Sequence, residues 1–275
     1  MEARFPNLLI IGAMKSGTSS LHEYLNLHPD IFMSEPKEIH YYADINYNEE
    51  FLQKYKEHFI SDKKILGTSP QSYTKCHNKF YKNIPERIYQ DTPYVKMIYI
   101  VRNPIKRYAS HVLESYHCDP IEDIEYSKKT GNYVKTGMYG MQLQEYLKFF
   151  KREQIHILTT EDLNENRLVE LNKIFNFLGV KEFKDGARFD FVSNAAESKF
   201  IPRFIRSNKL YTTVRKVAPA FIDKIVKKCC EVFLRDQMNK PVLTNEEELE
   251  LRRVYSEDLV LFKELSGINY DNWNL

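Results

Sequence analysis

The sequence predicts an α/β fold: a three-layer, P-loop-like arrangement with a central parallel sheet flanked by helices. Three observations predict it. Leu8 to Ile11, Tyr94 to Val101 and Ile155 to Leu158 are short and largely apolar, as strands buried on both faces must be. After the first of these the period changes, and Leu21, Tyr24, Leu25 and Leu27 recur at helical spacing. Between strand and helix, Gly12 and Gly17 bracket a short turn containing Lys15 and Ser16 and continuing into Thr18 and Ser19.

With 275 residues, 43% of them hydrophobic, the chain can bury a large core, and a single domain over 1–275 is expected. A net charge of +2 gives no global field for nucleic acid, so no such partner is expected. Cys76, Cys118, Cys229 and Cys230 have neither metal-ligand spacing nor a disulfide framework, which fits a reducing compartment and no metal. No apolar run approaches the length that crosses a bilayer, so a cytoplasmic protein without stable membrane insertion is expected.

The strand, glycine-containing turn and helix start converge several backbone N–H groups on one point, which favours an anion. An ATP- or GTP-binding loop reads G-x-x-x-x-G-K-[ST]. Gly12 and Gly17 keep that spacing, but Thr18 stands in the lysine's place and Lys15 is the loop's cation. Over the mouth of the loop, its ammonium meets charge building on a leaving oxygen. A helix N-terminus contributes about 0.3 to 1 kcal/mol toward an exposed anion and about 2 toward a partly buried one. That is too little for a multiply charged nucleotide, so Lys15 and the hydroxyls of Thr18, Ser19 and Ser20 must add to it. A structural turn with an incidental Lys-Ser-Gly-Thr is the plainer alternative.

The loop resembles the 5'-phosphosulfate loop of sulfotransferases that use 3'-phosphoadenosine 5'-phosphosulfate (PAPS), especially their heparan-sulfate-type and bacterial carbohydrate-type branch. The resemblance implies PAPS as donor, 3',5'-ADP as product, and Lys15, Ser16, Gly17, Thr18, Ser19 and Ser20 as contacts to the 5'-phosphate.

Beyond the first helix, Pro29 and Pro36 exclude a regular helix, and His28 to Asp44 reads as an exposed or cleft-facing segment dense in titratable groups. Within it Lys37-Glu38-Ile39-His40-Tyr41-Tyr42 resembles the same branch's Lys-Glu-x-His-[Phe/Tyr]-[Phe/Tyr] motif. The resemblance implies that Glu38 is the general base that deprotonates the acceptor, with Lys37 binding the donor or the transferring group. His40 is a second candidate base. A solvated charged loop is the alternative.

Glu49 to Phe59 reads as an amphipathic helix, and Lys64 to Tyr73 as a strand leading to a Ser-Pro turn. The latter resembles the family's Gly-Glu-[Lys/Ala]-[Ser/Thr]-Pro-x-Tyr motif but departs from it. Gly67 is followed directly by Thr68, the acid is missing, and no lysine precedes Ser69. Ser69 is read either as a contact near the transferring group or as a turn cap.

Lys79 to Gln90 is expected to be helical and to lead into the strand at Tyr94 to Val101. Arg102-Asn103-Pro104-Ile105-Lys106-Arg107-Tyr108-Ala109-Ser110 follows. Pro104 suits a first helical turn, which puts Arg102 at the strand's end and Ser110 about two turns into the helix. A planar guanidinium and a hydroxyl so placed grip one phosphate from two sides. The stretch fills every position of the family's 3'-phosphate motif, Arg-[Asn/Asp]-Pro-x-x-Arg-x-x-Ser, which implies that Arg102 and Ser110 bind that phosphate. A kinase or GTPase would show an acid here to manage Mg2+, and Val101-Arg102-Asn103 has none.

His117 to Lys135 is polar and reads as an acceptor-side insertion or a surface excursion. A helix from Thr136 to Phe150, the strand at Ile155, and a helix from Glu161 to Leu178 stopped by Gly179 complete the periodic elements. They resemble family landmarks, and Tyr139 is read as acceptor-facing or packed. Lys199 to Lys216 carries six basic residues and no acid; by the resemblance, Lys199 and Arg203 belong to a basic loop over the nucleotide. Val217 to Leu234 reads as an amphipathic surface helix. Thr244 with Glu247 forms a capping box for a last helix that ends near Gly267, and Trp273 reads as a packing anchor.

The expected reaction is sulfuryl transfer from PAPS to a hydroxyl or amine of a glycan or small-molecule natural product. A P-loop kinase and a noncatalytic nucleotide-binding protein are its rivals.

Overall fold

The computed structural model describes residues 2–43, 47–79, 81–117, 124–191, 213 and 243–275. Strands β1 (Leu8–Gly12), β2 (Ile31–Met33), β3 (Ile65–Thr68), β4 (Lys96–Val101) and β5 (Ile155–Thr159) form one parallel sheet in the order β2-β3-β1-β4-β5. In chain order the helices are α1 (Thr18–Asn26), α2 (Glu49–Glu57), α3 (Ile84–Asp91), α4 (Pro104–His117), α5 (Ile124–Thr130), α6 (Asn132–Lys135), α7 (Tyr139–Leu147), α8 (Thr160–Glu165), α9 (Arg167–Leu178) and α10 (Asn245–Ser266).

Leu9 pairs with Thr68 on one side and Met97 on the other, so β1 is central and all of its residues are buried. Its side chains alternate between two cores. Leu9 and Ile11 join Met97, Tyr99, Leu143 and Phe262, beneath α7 and α10. Leu8 and Ile10 join Leu21, Leu25, Leu171 and Phe175, beneath α1 and α9. A strand covered on both faces has no place for a polar residue, hence its unbroken apolar run. Helices on two sides of the sheet make the three layers that the sequence predicts.

Some elements differ from expectation for local reasons. Ile31–Met33, inside the segment read as a loop, pairs with Ile65–Gly67 as the sheet's short edge strand; the flanking prolines exclude a helix there but not three residues of strand. Helix α3 starts at Ile84 rather than Lys79, because Asn83 takes a left-handed φ of 58° and Pro85 sits in the first turn. The single helix expected from Glu161 to Leu178 is two, α8 and α9, broken at Asn166 with φ −126°. Helices α5 and α6 occupy part of the stretch read as an irregular insertion.

Helix α10 begins at its capping box, with Thr244 Oγ1 accepting from the Glu247 N–H at 3.1 Å and Glu247 Oε2 from the Thr244 N–H at 2.9 Å. It approaches α7 so closely that a Cβ on Gly140 would lie 2.6 Å from the Asp258 carbonyl oxygen. The Asp258 carboxylate accepts the Gly140 and Met141 N–H groups, each at 2.9 Å, and so caps the start of α7. Among the described residues, no helix is long and apolar enough to cross a membrane. The basic stretch 199–216 and the helix expected over 217–234 lie outside the described residues, Thr213 excepted.

Candidate active site

Because all strands run the same way, the loops that follow them share one edge of the sheet. The connections depart in opposite directions from β1 and β4, and a crevice opens between two such carboxyl ends.

The loop after β1 is shaped by close approach. A Cβ on Gly12 would lie 2.0 Å from Thr74 Oγ1, so glycine alone lets the chain after β3 pack there. Gly17, at φ 87°, is the N-cap of α1 and brings no side-chain cap. The leading N–H groups of α1 are therefore left to an anion. Thr160, the first residue of α8, staples the loop from behind: its hydroxyl lies 2.6 Å from the Ser16 carbonyl oxygen and 3.0 Å from that of Val101. Ala13 N–H donates to the Ile100 carbonyl at 2.6 Å.

The predicted loop residues divide. Lys15, Gly17 and Ser19 are partly open, and Thr18 is buried at the helix start. Ser16 is turned inward, its N–H donating to the Ala13 carbonyl at 3.1 Å and its side chain fully buried. The Ser20 hydroxyl is engaged with Tyr24, one turn on. Lys15 Nζ lies 2.9 Å from Oε1 of Glu114, an acid of α4 that sequence reasoning missed.

At the end of β4 the backbone is held from several sides. Tyr139 donates its hydroxyl to the Arg102 carbonyl at 2.7 Å and is fully buried, so the acceptor-facing reading of Tyr139 is corrected to a structural one. Asn103 caps α4, its Oδ1 accepting from the N–H groups of Ile105 and Lys106 at 3.1 Å each. It also donates from Nδ2 to the Trp273 carbonyl and from its N–H to Glu161 Oε1, both at 3.1 Å. These anchors leave the side chain of Arg102 half-buried and without an ion pair among the described residues, with Ser110 half-buried further along α4. Arg107, the motif's second arginine, is wholly buried and donates to the Tyr133 carbonyl.

On the other side of β1 from β4, the ends of β3 and β2 set the turn that carries Glu38. The Lys37 carbonyl accepts from the Ser69 N–H at 3.0 Å and from Thr68 Oγ1 at 3.1 Å, and Ser34 Oγ lies 2.9 Å from Thr68 Oγ1. Thr68, at the point of departure from the family's pattern, thus holds the turn through its side-chain hydroxyl on the Lys37 carbonyl. Glu38 Oε1 pairs with Lys37 Nζ at 2.7 Å, Oε2 lies 3.5 Å from His40 Nε2, and His40 Nδ1 lies 2.7 Å from Ser72 Oγ. Burial pushes the Glu38 carboxyl up, but the bond from His40 and the Lys37 ammonium outweigh it and leave the group below its ordinary value.

Ser69 is fully buried, with its hydroxyl 2.8 Å from His22 Nδ1, so of its two readings the structural one, rather than a contact near the transferring group, fits its place. His22, also missed, lies on the buried face of α1 and bonds the Ser34 backbone as well. Burial, helped by Lys37, lowers its pKa from 6.5 to about 4, so the ring is neutral. A histidine beside Leu21 and Leu25 on an apolar stripe was the available signal. Lys199 and Arg203 lie outside the described residues.

Residues 5–196 match the family model of the sulfotransferase domain. The chain belongs to that family. It is 30% identical over 196 residues to mouse heparan sulfate glucosamine 3-O-sulfotransferase 5, an overlap of 64% of this chain and 54% of that protein. The chain thus spans about half the length of the curated relatives it matches. In fold it is similar to a crystal structure of a sulfotransferase from Alicyclobacillus acidocaldarius, with TM-score 0.65 and 19% identity over 99% of this chain and 100% of that one. A mouse sulfotransferase complexed with PAP gives TM-score 0.54 and 17% identity over 98% and 91%. The matched sulfotransferase region contains Lys15, Glu38, Arg102 and Ser110 and ends before the basic stretch.

Proposed function

We propose that this sulfotransferase domain moves a sulfuryl group from PAPS to a hydroxyl or amine of a glycan or small molecule, leaving 3',5'-ADP. One observation carries the reading: two separate cations, Lys15 in the loop that leads from β1 to the uncapped start of α1 and Arg102 directly after β4, follow neighbouring strands of the sheet. That arrangement fits a nucleotide phosphorylated at both ends of its ribose. When bound, PAPS supplies an activated sulfuryl group on a phosphate leaving group. Arg102 and Ser110 would hold the 3'-phosphate, and the first N–H groups of α1 with the Thr18 and Ser19 hydroxyls the 5'-phosphate. Lys15 offsets the charge that develops on the leaving oxygen.

Glu38 takes the acceptor's proton. Its carboxyl is kept ionised by Lys37 and His40, so it carries no proton of its own near neutrality. His40 is the second base, backed by Ser72. A glycan acceptor is supported by the mouse relative, whose name places its action on heparan sulfate glucosamine.

The test is incubation with labelled PAPS and a panel of glycan, hydroxyl and amine acceptors, with products identified by mass. Sulfated product and 3',5'-ADP in equal amounts are expected. Turnover that requires ATP and Mg2+ and ignores PAPS overturns the reading in favour of a kinase. Binding of 3',5'-ADP with no turnover of any acceptor favours a noncatalytic protein.

A further inference from the structure

Lys15 is the one cation between Gly12 and Ser20, and its ammonium is already engaged, 2.9 Å from Glu114 Oε1. Glu114 stands four residues beyond Ser110 on α4, so the two share a helix face. The helix that follows Arg102 therefore turns toward the phosphate loop a carboxylate as well as a hydroxyl. Among the described residues Lys15 is the ion-pair partner of Glu114, and the side chains keep 23% and 34% of their exposure. An entering anion can reach such a pair. Separating it costs little, because water already screens it.

We propose that Glu114 is a positioning residue: an exchangeable counter-ion that holds Lys15 at the mouth of the loop until a nucleotide's 5'-phosphate takes the ammonium over. The inference rests on the donor reading above. One ammonium cannot be fully neutralised by a carboxylate and at the same time neutralise a phosphate. If the carboxylate kept its place, it would stand as a like charge beside the phosphate. Nucleotide and Glu114 thus compete for Lys15. The competition loosens donor and product alike and hastens departure of 3',5'-ADP after transfer.

The test is calorimetric titration of 3',5'-ADP into the wild type, Glu114→Gln, Glu114→Asp, Lys15→Ala and the Lys15→Ala/Glu114→Gln double variant. Gln keeps the size and a polar contact but removes the charge. Glu114→Gln is expected to bind about fivefold more tightly at low salt. The gain shrinks as salt rises, because the pair is open to solvent. Glu114→Asp returns affinity toward that of the wild type. In the Lys15→Ala background the Gln substitution has no effect, and in steady state Glu114→Gln lowers the KM for the donor without raising kcat. Unchanged or weaker binding by Glu114→Gln, or a gain that persists without Lys15, overturns the proposal and leaves the donor reading standing. Failure of the wild type to bind 3',5'-ADP at all overturns the donor reading, and this inference with it.

Discussion

At the ends of β1 and β4, functional groups project from backbone that other parts of the molecule hold: Thr160 grips the loop carbonyl of Ser16, and Tyr139 grips that of Arg102. On the β2–β3 side the functional groups hold one another, through Lys37, Glu38, His40 and Ser72. The first construction presents cations to a ligand that brings its own negative charge. The second keeps a carboxylate ionised while no ligand is present. A nucleotide pocket needs charge that a ligand can claim, as with Arg102, unpaired among the described residues, and Lys15 in its half-open pair with Glu114, whereas a base needs its charge balanced.

The largest effect is expected from removing the charge at the centre of the self-paired cluster. Glu38→Gln keeps shape and polarity but cannot accept a proton, and is expected to lower kcat by about a hundredfold to ten-thousandfold. Affinity for 3',5'-ADP, measured by calorimetry, stays within about twofold, since the ligand of the other side is untouched. Equal losses in turnover and nucleotide affinity would mean that the two sides are one site. Unchanged turnover would pass the role of base to His40.

The elements that carry the proposed donor contacts were largely legible in the sequence because their information is local. A strand, a glycine turn and a helix start lie within about twenty consecutive residues, and Arg102, Pro104 and Ser110 are fixed relative to one another by one strand end and one helix. Motif spacing can encode that. What closes the site is not local. Glu114 meets Lys15 across 99 positions, Thr160 meets Ser16 across 144, and His22 meets Ser69 across 47, and none of these pairs follows from the spacing of either partner. For the same reason Tyr139 and Ser69 carry a family landmark in sequence yet turn into the fold, since burial is decided by α10 and α1 rather than by their neighbours in the chain.

The His22–Ser69 contact beneath Glu38 gives a second contrast, in stability rather than rate. His22 has a pKa of about 4 in the fold against 6.5 when free, so between those values the unfolded chain binds more protons. Stability therefore falls as pH drops from about 6.5 to about 4 and levels off below, with a loss on the order of 3 kcal/mol from this group. His77 and His156, also lowered to about 4 by burial, add to the slope. In urea unfolding from pH 8 to pH 4, His22→Gln is expected to be less stable than the wild type at pH 8, with the gap narrowing toward pH 4. A gap that stays constant would show that His22 does not titrate with folding.

On the donor side, Arg102→Ala is expected to weaken 3',5'-ADP binding by about thirtyfold, the worth of a charge-assisted pair of about 2 kcal/mol. Binding of 5'-AMP, which lacks the 3'-phosphate, should hardly change. Selectivity for the doubly phosphorylated nucleotide therefore collapses in the variant. Equal weakening of both ligands would move Arg102 away from the 3'-phosphate and undo the division of labour between Arg102 and Lys15.

The smallest effect tests whether the donor side is held from behind. Thr160→Val keeps the shape of the side chain and removes the hydroxyl that lies 2.6 Å from the Ser16 carbonyl and 3.0 Å from that of Val101. Loss of that hydroxyl is expected to cost about 1 kcal/mol, which weakens 3',5'-ADP binding by roughly fivefold. Thr160→Ser restores it, because the contact is made by oxygen and not by the methyl group. Turnover at saturating donor should stay near that of the wild type, since neither Glu38 nor Lys15 touches Thr160 directly. A variant that binds nucleotide as the wild type does would mean that β1 and α1 alone fix the loop. The donor side would then owe its geometry to the consecutive residues the motif names, and the staple from α8 would belong to the fold rather than to the site.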